Sequence, residues 1–228
     1  VKPYYNKNGI QIFLGDCRKV LQQIGSVDCV LTDPPFGISF DRATWTDSPE
    51  QYEAFMLSVI SLCEKLCPTG VKAFWQALPN CTKWHRWFSP HDYRIFSACK
   101  GFVQFRPTAV QWSWDPIVWW GDCPGKPDTR RKDYFVQKLA PFGANRLKIE
   151  HPSAKPMELT QYLISIFTLE GQLLCDPFMG SGTTLVAAKK LGRKAIGIEL
   201  EEKYCKVAIA RLDHSEETRR HKQFSGLF

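Results

Sequence analysis

From Pro156 to Leu212 the chain alternates helical and strand patterns with only short connections between them. Leu159, Tyr162, Leu163 and Ile166 recur at helical spacing, and Gln172 to Cys175 is an apolar run of strand length that ends at Asp176. Thr183 to Leu191 is helical again, Lys194 to Ile198 is a second strand, and Glu201 to Leu212 is a third helix. Such alternation predicts parallel strands, because a parallel pair needs a long crossover and a helix is the compact way to build one. The amino-terminal part follows the same rule. Gln11 to Leu14 reads as a strand closing at Gly15-Asp16-Cys17, Arg18 to Ile24 as a short helix, and Val27 to Thr32 as a strand leading into Asp33. Pro49 to Leu66 has helical spacing, with Phe55, Val59, Leu62 and Leu66 on one face, Ser48 as cap and Pro49 in the first turn. Pro68-Thr69-Gly70 stops that helix, and Val71 to Trp75 restarts as a strand. The expected class is α/β, a mostly parallel doubly wound sheet that ends in an antiparallel hairpin such as Ala109 to Trp120.

Residues 79–150 depart from this regularity. Six tryptophans lie there, among them Trp84, Trp87, Trp119 and Trp120, followed by a basic, Pro/Gly-rich loop from Gly121 to Lys132. Most of these rings are expected to fill the core beneath the hairpin. At 228 residues and 44% hydrophobic, the chain suits a single domain holding this stretch as an insertion, with 213–228 as a poorly ordered polar tail. A net charge of +7 favours a polyanionic partner, while 23 acidic residues exclude a histone-like tail. No run is apolar enough to span a membrane and the start lacks the apolar core of a signal peptide, so a cytoplasmic location is expected. Nine cysteines without a secretion signal imply reduced thiols. Cys63 with Cys67, and Cys81 with His85, have zinc-ligand spacing, but the apolar helix face accounts for the first pair as packing, and no metal is expected.

Two loops at the carboxyl ends of predicted strands carry the chemistry, since ligands gather at such ends in open α/β sheets. In Asp176-Pro177-Phe178-Met179-Gly180-Ser181-Gly182-Thr183-Thr184, two glycines let the backbone turn sharply beside a ligand, and the helix behind them presents its first amides. No lysine follows the second glycine where a Walker loop requires it. Glu199 ends the next strand, where a carboxylate accepts hydrogen bonds from ribose hydroxyls, so the unit reads as an adenosine site. In Asp33-Pro34-Pro35-Phe36, an acceptor side chain, a backbone carbonyl fixed by two prolines and an aromatic ring suit a flat amine. Asp33 and the Pro34 carbonyl could each accept one amino hydrogen, freeing the lone pair for attack, while Phe36 stacks on the ring.

Together these two loops resemble the catalytic and cofactor loops of the S-adenosylmethionine-dependent DNA amino-methyltransferases, which modify N6 of adenine or N4 of cytosine. The catalytic loop comes first here, the order of the permuted or beta-class group, and the resemblance runs from about Ile10 to Arg211. It implies a permuted Rossmann-like methyltransferase fold with a catalytic half (1–78), a variable target-recognition insertion (79–150) and a cofactor half (151–212). It implies S-adenosyl-L-methionine as cofactor, with Asp176, Phe178, Gly180, Ser181 and Gly182 around its methionine part, Glu199 on the ribose, and Pro177, Thr183, Leu200, Cys17 and Asp33 beside them. Asp16 stands where the family holds the adenine amino group, although a helix cap explains it equally simply. Lys155, in a His151 to Pro156 segment typical of the permuted group, would meet the cofactor carboxylate.

By the same resemblance Asp33, Pro34, Pro35 and Phe36 are catalytic, on a base turned out of the duplex. Arg130, Arg131, Lys132, Lys138 and Arg146 are expected to contact phosphates of double-stranded DNA. Aspartate at the loop's first position points to adenine, whereas Phe36 departs from the commoner tyrosine. N4-cytosine methylation and a non-catalytic, nucleic-acid-binding subunit are the alternatives. Methylation at cytosine carbon 5 is excluded, because no Pro-Cys pair occurs to supply its nucleophile. A nucleotide-binding oxidoreductase would carry its glycine loop at the amino end and has no use for the Asp33 loop. The resemblance leaves open a second copy of the chain and a companion restriction endonuclease as partners, in a bacterial or phage-infected bacterial cell.

Overall fold

A computed structural model of the protein describes residues 1–36, 49–89, 91–104, 112–124, 131–137 and 155–224. The chain opens with the hairpin β1 (Tyr5–Lys7) and β2 (Ile10–Leu14), then α1 (Cys17–Val20), β3 (Cys29–Thr32), α2 (Pro49–Leu66) and β4 (Val71–Trp75). A 3₁₀ turn, Leu78–Asn80, leads into α3 (Cys81–Phe88), the antiparallel pair β5 (Arg94–Gln104) and β6 (Trp112–Trp120), and β7 (Tyr134–Val136). The chain closes with α4 (Met157–Phe167), β8 (Leu173–Asp176), α5 (Thr183–Lys190), β9 (Lys194–Glu199) and α6 (Glu202–Phe224). The described strands form one sheet in the order β1-β2-β9-β8-β3-β4-β6-β5-β7, whose central five are parallel.

Side-chain alternation along these strands divides the core between two faces. Cys29, Leu31, Ala73, Trp75 and Leu174 point to the face covered by α4, α5 and α6. Val30, Phe74, Cys175 and Ile196 point to the other, covered by α1, α2 and α3. Every residue of β3 and β4 is buried, so these strands are covered on both faces; their polar side chains, Thr32 and Lys72, are hydrogen-bonded. On α2, Tyr52, Met56, Val59, Ile60 and Cys63 face the sheet at helical spacing. Each large apolar side chain so buried contributes roughly 1.5–3 kcal/mol, which makes α2 a rigid wall behind β3.

From β3 the chain winds through α2 to β4 toward one edge, and from β8 through α5 to β9 toward the other. The reversal falls between the neighbours β3 and β8, where a crevice opens at the carboxyl ends.

Three features differ from the sequence expectation. The helix foreseen over Arg18 to Ile24 is one turn, Cys17–Val20, because the amides of Gln22 and Gln23 take the carbonyls of Arg18 and Lys19 that a longer helix would use. The last helix continues through Phe224 where a poorly ordered tail was expected, as its Glu, Arg and Lys content favours. The expected antiparallel hairpin and buried tryptophans are present, but its first strand is β5 (Arg94–Gln104), well before Ala109, and a further strand, β7, lies parallel to β5 outside it. Among the described residues no helix is long and apolar enough to cross a membrane, and no cluster of three or more metal-ligating side chains occurs.

Candidate active site

The glycine loop leaves β8 and is held from three sides. The Asp176 carboxylate is buried, and its Oδ1 accepts from the Thr32 hydroxyl at 2.7 Å and from the Phe178 amide at 3.1 Å. Burial pushes the Asp176 pKa up to about 6, against the opposing hydrogen bonds of Thr184, Thr32 and the Phe178 amide. Gly182 adopts φ +77°, and a Cβ there would stand 2.7 Å from Cβ of Ala208, so only glycine lets α6 ride directly on the loop. Arg211 of α6 locks the contact, its Nη1 donating to the Ser181 carbonyl at 2.6 Å, the Ser181 hydroxyl at 2.9 Å and the Thr183 hydroxyl at 3.1 Å.

Glu199 closes the loop from β9. Its Oε2 accepts from the Gly180 amide at 3.0 Å, and Oε1 from the amides of Leu200 at 2.8 Å and Glu201 at 2.9 Å. Burial raises its pKa, and these amides oppose the rise. Oε2 retains one acceptor position, which suits a ribose hydroxyl. No side chain caps α5 at Gly182, leaving first-turn amides for a ligand carboxylate. Asp16 lies beside this strand end, because the Gly15 amide donates to the Glu199 carbonyl at 2.8 Å. Asp16 caps α1 through the Arg18 amide and pairs with the Arg18 guanidinium at 2.6 Å, and the Arg18 hydrogen bond lowers its pKa. Arg18 in turn lies over Phe55, whose ring meets Phe178 edge-on at 5.8 Å. The residues present therefore fit an adenosine bearing a polar chain.

The second loop leaves β3 next door. Pro34 and Pro35 are buried and Phe36 is partly exposed. Lys155, just before α4, places Nζ 3.0 Å from Oδ2 of Asp33, 5.3 Å from the Phe36 ring centre and 5.7 Å from that of Trp75. A cationic nitrogen thus sits on the carboxylate between two aromatic faces. The Thr32 to Asp176 hydrogen bond immediately precedes Asp33, so it pins the roots of both loops to each other.

Comparison with known proteins agrees with this geometry. Residues 107–210 match a DNA methylase family. Type II methyltransferase M2.DpnII of Streptococcus pneumoniae is 29% identical, over 95% of this chain and 94% of that protein. Type II methyltransferase M2.LlaDCHI of Lactococcus lactis subsp. cremoris is 27% identical, over 93% and 92%. The M1.HpyAVI-SAM complex superposes with a TM-score of 0.70 at 25% identity, over 89% of this chain and 98% of that one. The chain is thus similar to DNA methylases over residues 107–210 and to Type II methyltransferases over nearly its whole length. The cytosine-N4-specific PvuII DNA methyltransferase shares the fold, with a TM-score of 0.75 at 20% identity over 92% and 88%.

Not every residue expected at the site turns toward it. Cys17 faces the core, and burial pushes its thiol up to about 12. The hydroxyls of Ser181 and Thr183 point back to Arg211, leaving only their backbone for a ligand, and Pro177 is buried in the turn. Arg131 lies at the amino ends of the strands, opposite the crevice, where its guanidinium bonds the carbonyls of Ile166 at 2.6 Å and Pro124 at 3.1 Å. That removes it from a phosphate-binding face around the catalytic loop. Lys132 stands at the same end, its backbone bonded to the Tyr162 hydroxyl and its ammonium over Tyr134. Arg130, Lys138 and Arg146 lie outside the described residues.

The sequence reading also missed functional neighbours. Arg211 and Thr32 look like ordinary helix and strand residues. Asn80 carried no signal in the sequence, yet its side-chain amide donates to the Phe36 carbonyl.

Proposed function

We propose that this protein transfers the methyl group of S-adenosylmethionine to the N6 amino group of an adenine turned out of double-stranded DNA. The observation that carries the proposal is the meeting of the Asp33 and glycine loops on adjacent parallel strands, tied at 2.7 Å through Thr32 and Asp176. Glu199, Phe178, Asp16 and the first amides of α5 are the residues that would hold the cofactor. When bound, it supplies an electrophilic methyl group on a sulfonium.

The chain's own residues do the rest. The amine of adenine is a weak nucleophile because its lone pair is delocalised into the ring. Asp33 accepts one amino hydrogen and the Pro34 carbonyl the other, drawing the nitrogen toward tetrahedral geometry. Lys155 already demonstrates a nitrogen donor on Asp33 beneath the Phe36 ring, and it yields that place to the incoming amine. As the new N–C bond forms, Asp33 takes the proton that the nitrogen sheds. Phe36 stacks on the extruded base. Adenine is favoured over cytosine because Asp33 holds the loop's first position.

DNA approaches from the carboxyl ends of the strands. Arg131, at the amino ends, lies on the opposite side.

The test is transfer of labelled methyl to unmethylated genomic DNA, followed by nucleoside mass spectrometry, with Asp33→Ala in parallel. N6-methyladenine from the wild type and none from Asp33→Ala, at cofactor affinity within about threefold, is the expected result. N4-methylcytosine would keep the mechanism and change the base. Turnover by pure Asp33→Ala would refute the assigned role.

A further inference from the structure

The amide of Asn80 is an outlier among helix caps. Asn80 stands at the amino end of α3, where asparagine ordinarily accepts a hydrogen bond from the first turn, but it makes no such bond. Instead Nδ2 donates to the backbone carbonyl of Phe36 at 2.9 Å, across 44 residues of sequence. The assignment of nitrogen and oxygen is forced, since a carbonyl can only accept. Asn80 is 4% exposed, so the bond is shielded from competing water. The helix behind it is immobile, with Trp84, Trp87 and Phe88 all buried against the sheet. The Asn80 amide also donates from its backbone to Ala77, which fixes it to the turn after β4.

We propose that Asn80 is a positioning residue for the catalytic loop, holding the Phe36 peptide so that its ring meets the base at a fixed tilt. The inference rests on the function proposed above. Asp33 is anchored by β3 and the Thr32 to Asp176 bond at one end of the loop, and Asn80 anchors the other end. Between them Pro34 and Pro35 leave little backbone freedom, so the two anchors set both the Pro34 carbonyl and the Phe36 ring. The stability that a side-chain cap would add is forgone at α3.

The distinction from a structural role can be measured with Asn80→Asp and Asn80→Ser. Both residues cap helices as well as asparagine, and an acid is favoured at a helix start. Neither replaces the N–H donor at that reach: the carboxylate has none and serine is too short. A merely structural Asn80 predicts a lower Tm in both, from the lost hydrogen bond, with kcat of the folded protein unchanged.

The positioning role predicts a 10- to 100-fold loss of kcat with S-adenosylmethionine affinity within twofold. It also predicts weaker fluorescence enhancement from 2-aminopurine at the target position, and about tenfold faster amide exchange in the 33–37 peptide. Asn80→Asp should further regain activity relative to wild type as pH falls, because the protonated acid can donate to Phe36. Asn80→Ser carries the test if the buried acid prevents folding. A folded variant with wild-type kcat and unchanged exchange overturns the proposal. Exchange is read without turnover, so a protein that methylates no DNA sinks the functional reading while the Asn80 anchor is still judged.

Discussion

Asp176→Asn should make the protein more stable at pH 8, although it alters a residue at the root of the cofactor loop. The wild-type carboxyl is buried and titrates at about 6 in place of about 3.8. A group whose folded pKa is raised holds its proton more tightly in the folded state, so its ionisation lowers stability as pH rises. The contribution is neutral below about pH 4, where folded and unfolded carboxyls are both protonated, and falls as pH rises from there through 6. Above that it is constant, at on the order of 3 kcal/mol unfavourable. Asparagine never ionises, and its Oδ1 keeps the Thr32 and Phe178 donors, which meet a single oxygen in the structure. Only the Thr184 hydroxyl must find another acceptor, at about 1 kcal/mol. Urea unfolding of both proteins from pH 4.5 to 8, each at fixed ionic strength, isolates the term, because other titrating groups cancel in the difference. The stability of Asp176→Asn relative to wild type should climb by roughly 2–3 kcal/mol across this range and level off above about pH 6.5. A difference that stays flat with pH would mean that Asp176 is ionised at its ordinary value, and the burial argument would fall. A bound sulfonium favours the ionised carboxylate, so the same variant should bind S-adenosylmethionine more weakly at pH 8.

Gly182→Ala meets both an unfavourable φ and the Ala208 contact at 2.7 Å, so cofactor affinity by calorimetry should drop at least about tenfold. Adding Ala208→Gly should recover part of that loss, and no recovery would show that the contact is not the cause. Glu199→Gln keeps the Leu200 and Glu201 bonds but sets an amide against the Gly180 N–H, for roughly 1–3 kcal/mol of lost cofactor binding. Retained affinity would remove Glu199 from the ribose. Arg131→Ala should lower Tm while leaving the salt dependence of DNA binding unchanged, whereas Lys138→Ala should reduce that slope by about 0.9. A reduced slope from Arg131→Ala would place DNA at the amino ends of the strands.

The parallel core was legible because its signals are local. An apolar run into Asp33, another into Asp176 and helical spacing behind each are properties of neighbouring residues, and they located β3, α2, β8, α5 and β9. What the sequence hid depends on distant partners. Arg131 sits in a basic loop and reads as a phosphate ligand, yet it is committed to the carbonyl of Ile166, 35 residues away. Asn80 gives no local signal, because its partner Phe36 lies 44 residues away. Ser181 reads as a ligand donor because it lies between two glycines, but only the packing of α6 reveals that Arg211 holds its hydroxyl. The hairpin and the buried tryptophans of 79–150 were foreseen, but not that a parallel strand, β7, would pair outside β5, since that pairing joins residues more than 30 apart.

The tie between Thr32 and Asp176 also explains why chain order matters so little to a site of this kind. The chemistry requires an acceptor loop and a cofactor loop side by side, which means two adjacent parallel strands with their carboxyl ends together. Here these strands are 144 residues apart in sequence and registered as neighbours, with Cys29 opposite Leu174 and Val30 opposite Cys175. Register fixes the relative height of the loops, and the buried hydroxyl to carboxylate bond fixes their separation. Neither constraint refers to which strand the chain visits first. A sequence can therefore present the Asp33 loop before the glycine loop, as this one does, provided that the β3 and β8 pair and its pin are kept. Thr32→Val, which removes the pin and little else, should loosen the coupling between cofactor and base while leaving each half folded. Cofactor affinity measured with and without target DNA reads this directly, and an unchanged ratio would locate the coupling elsewhere.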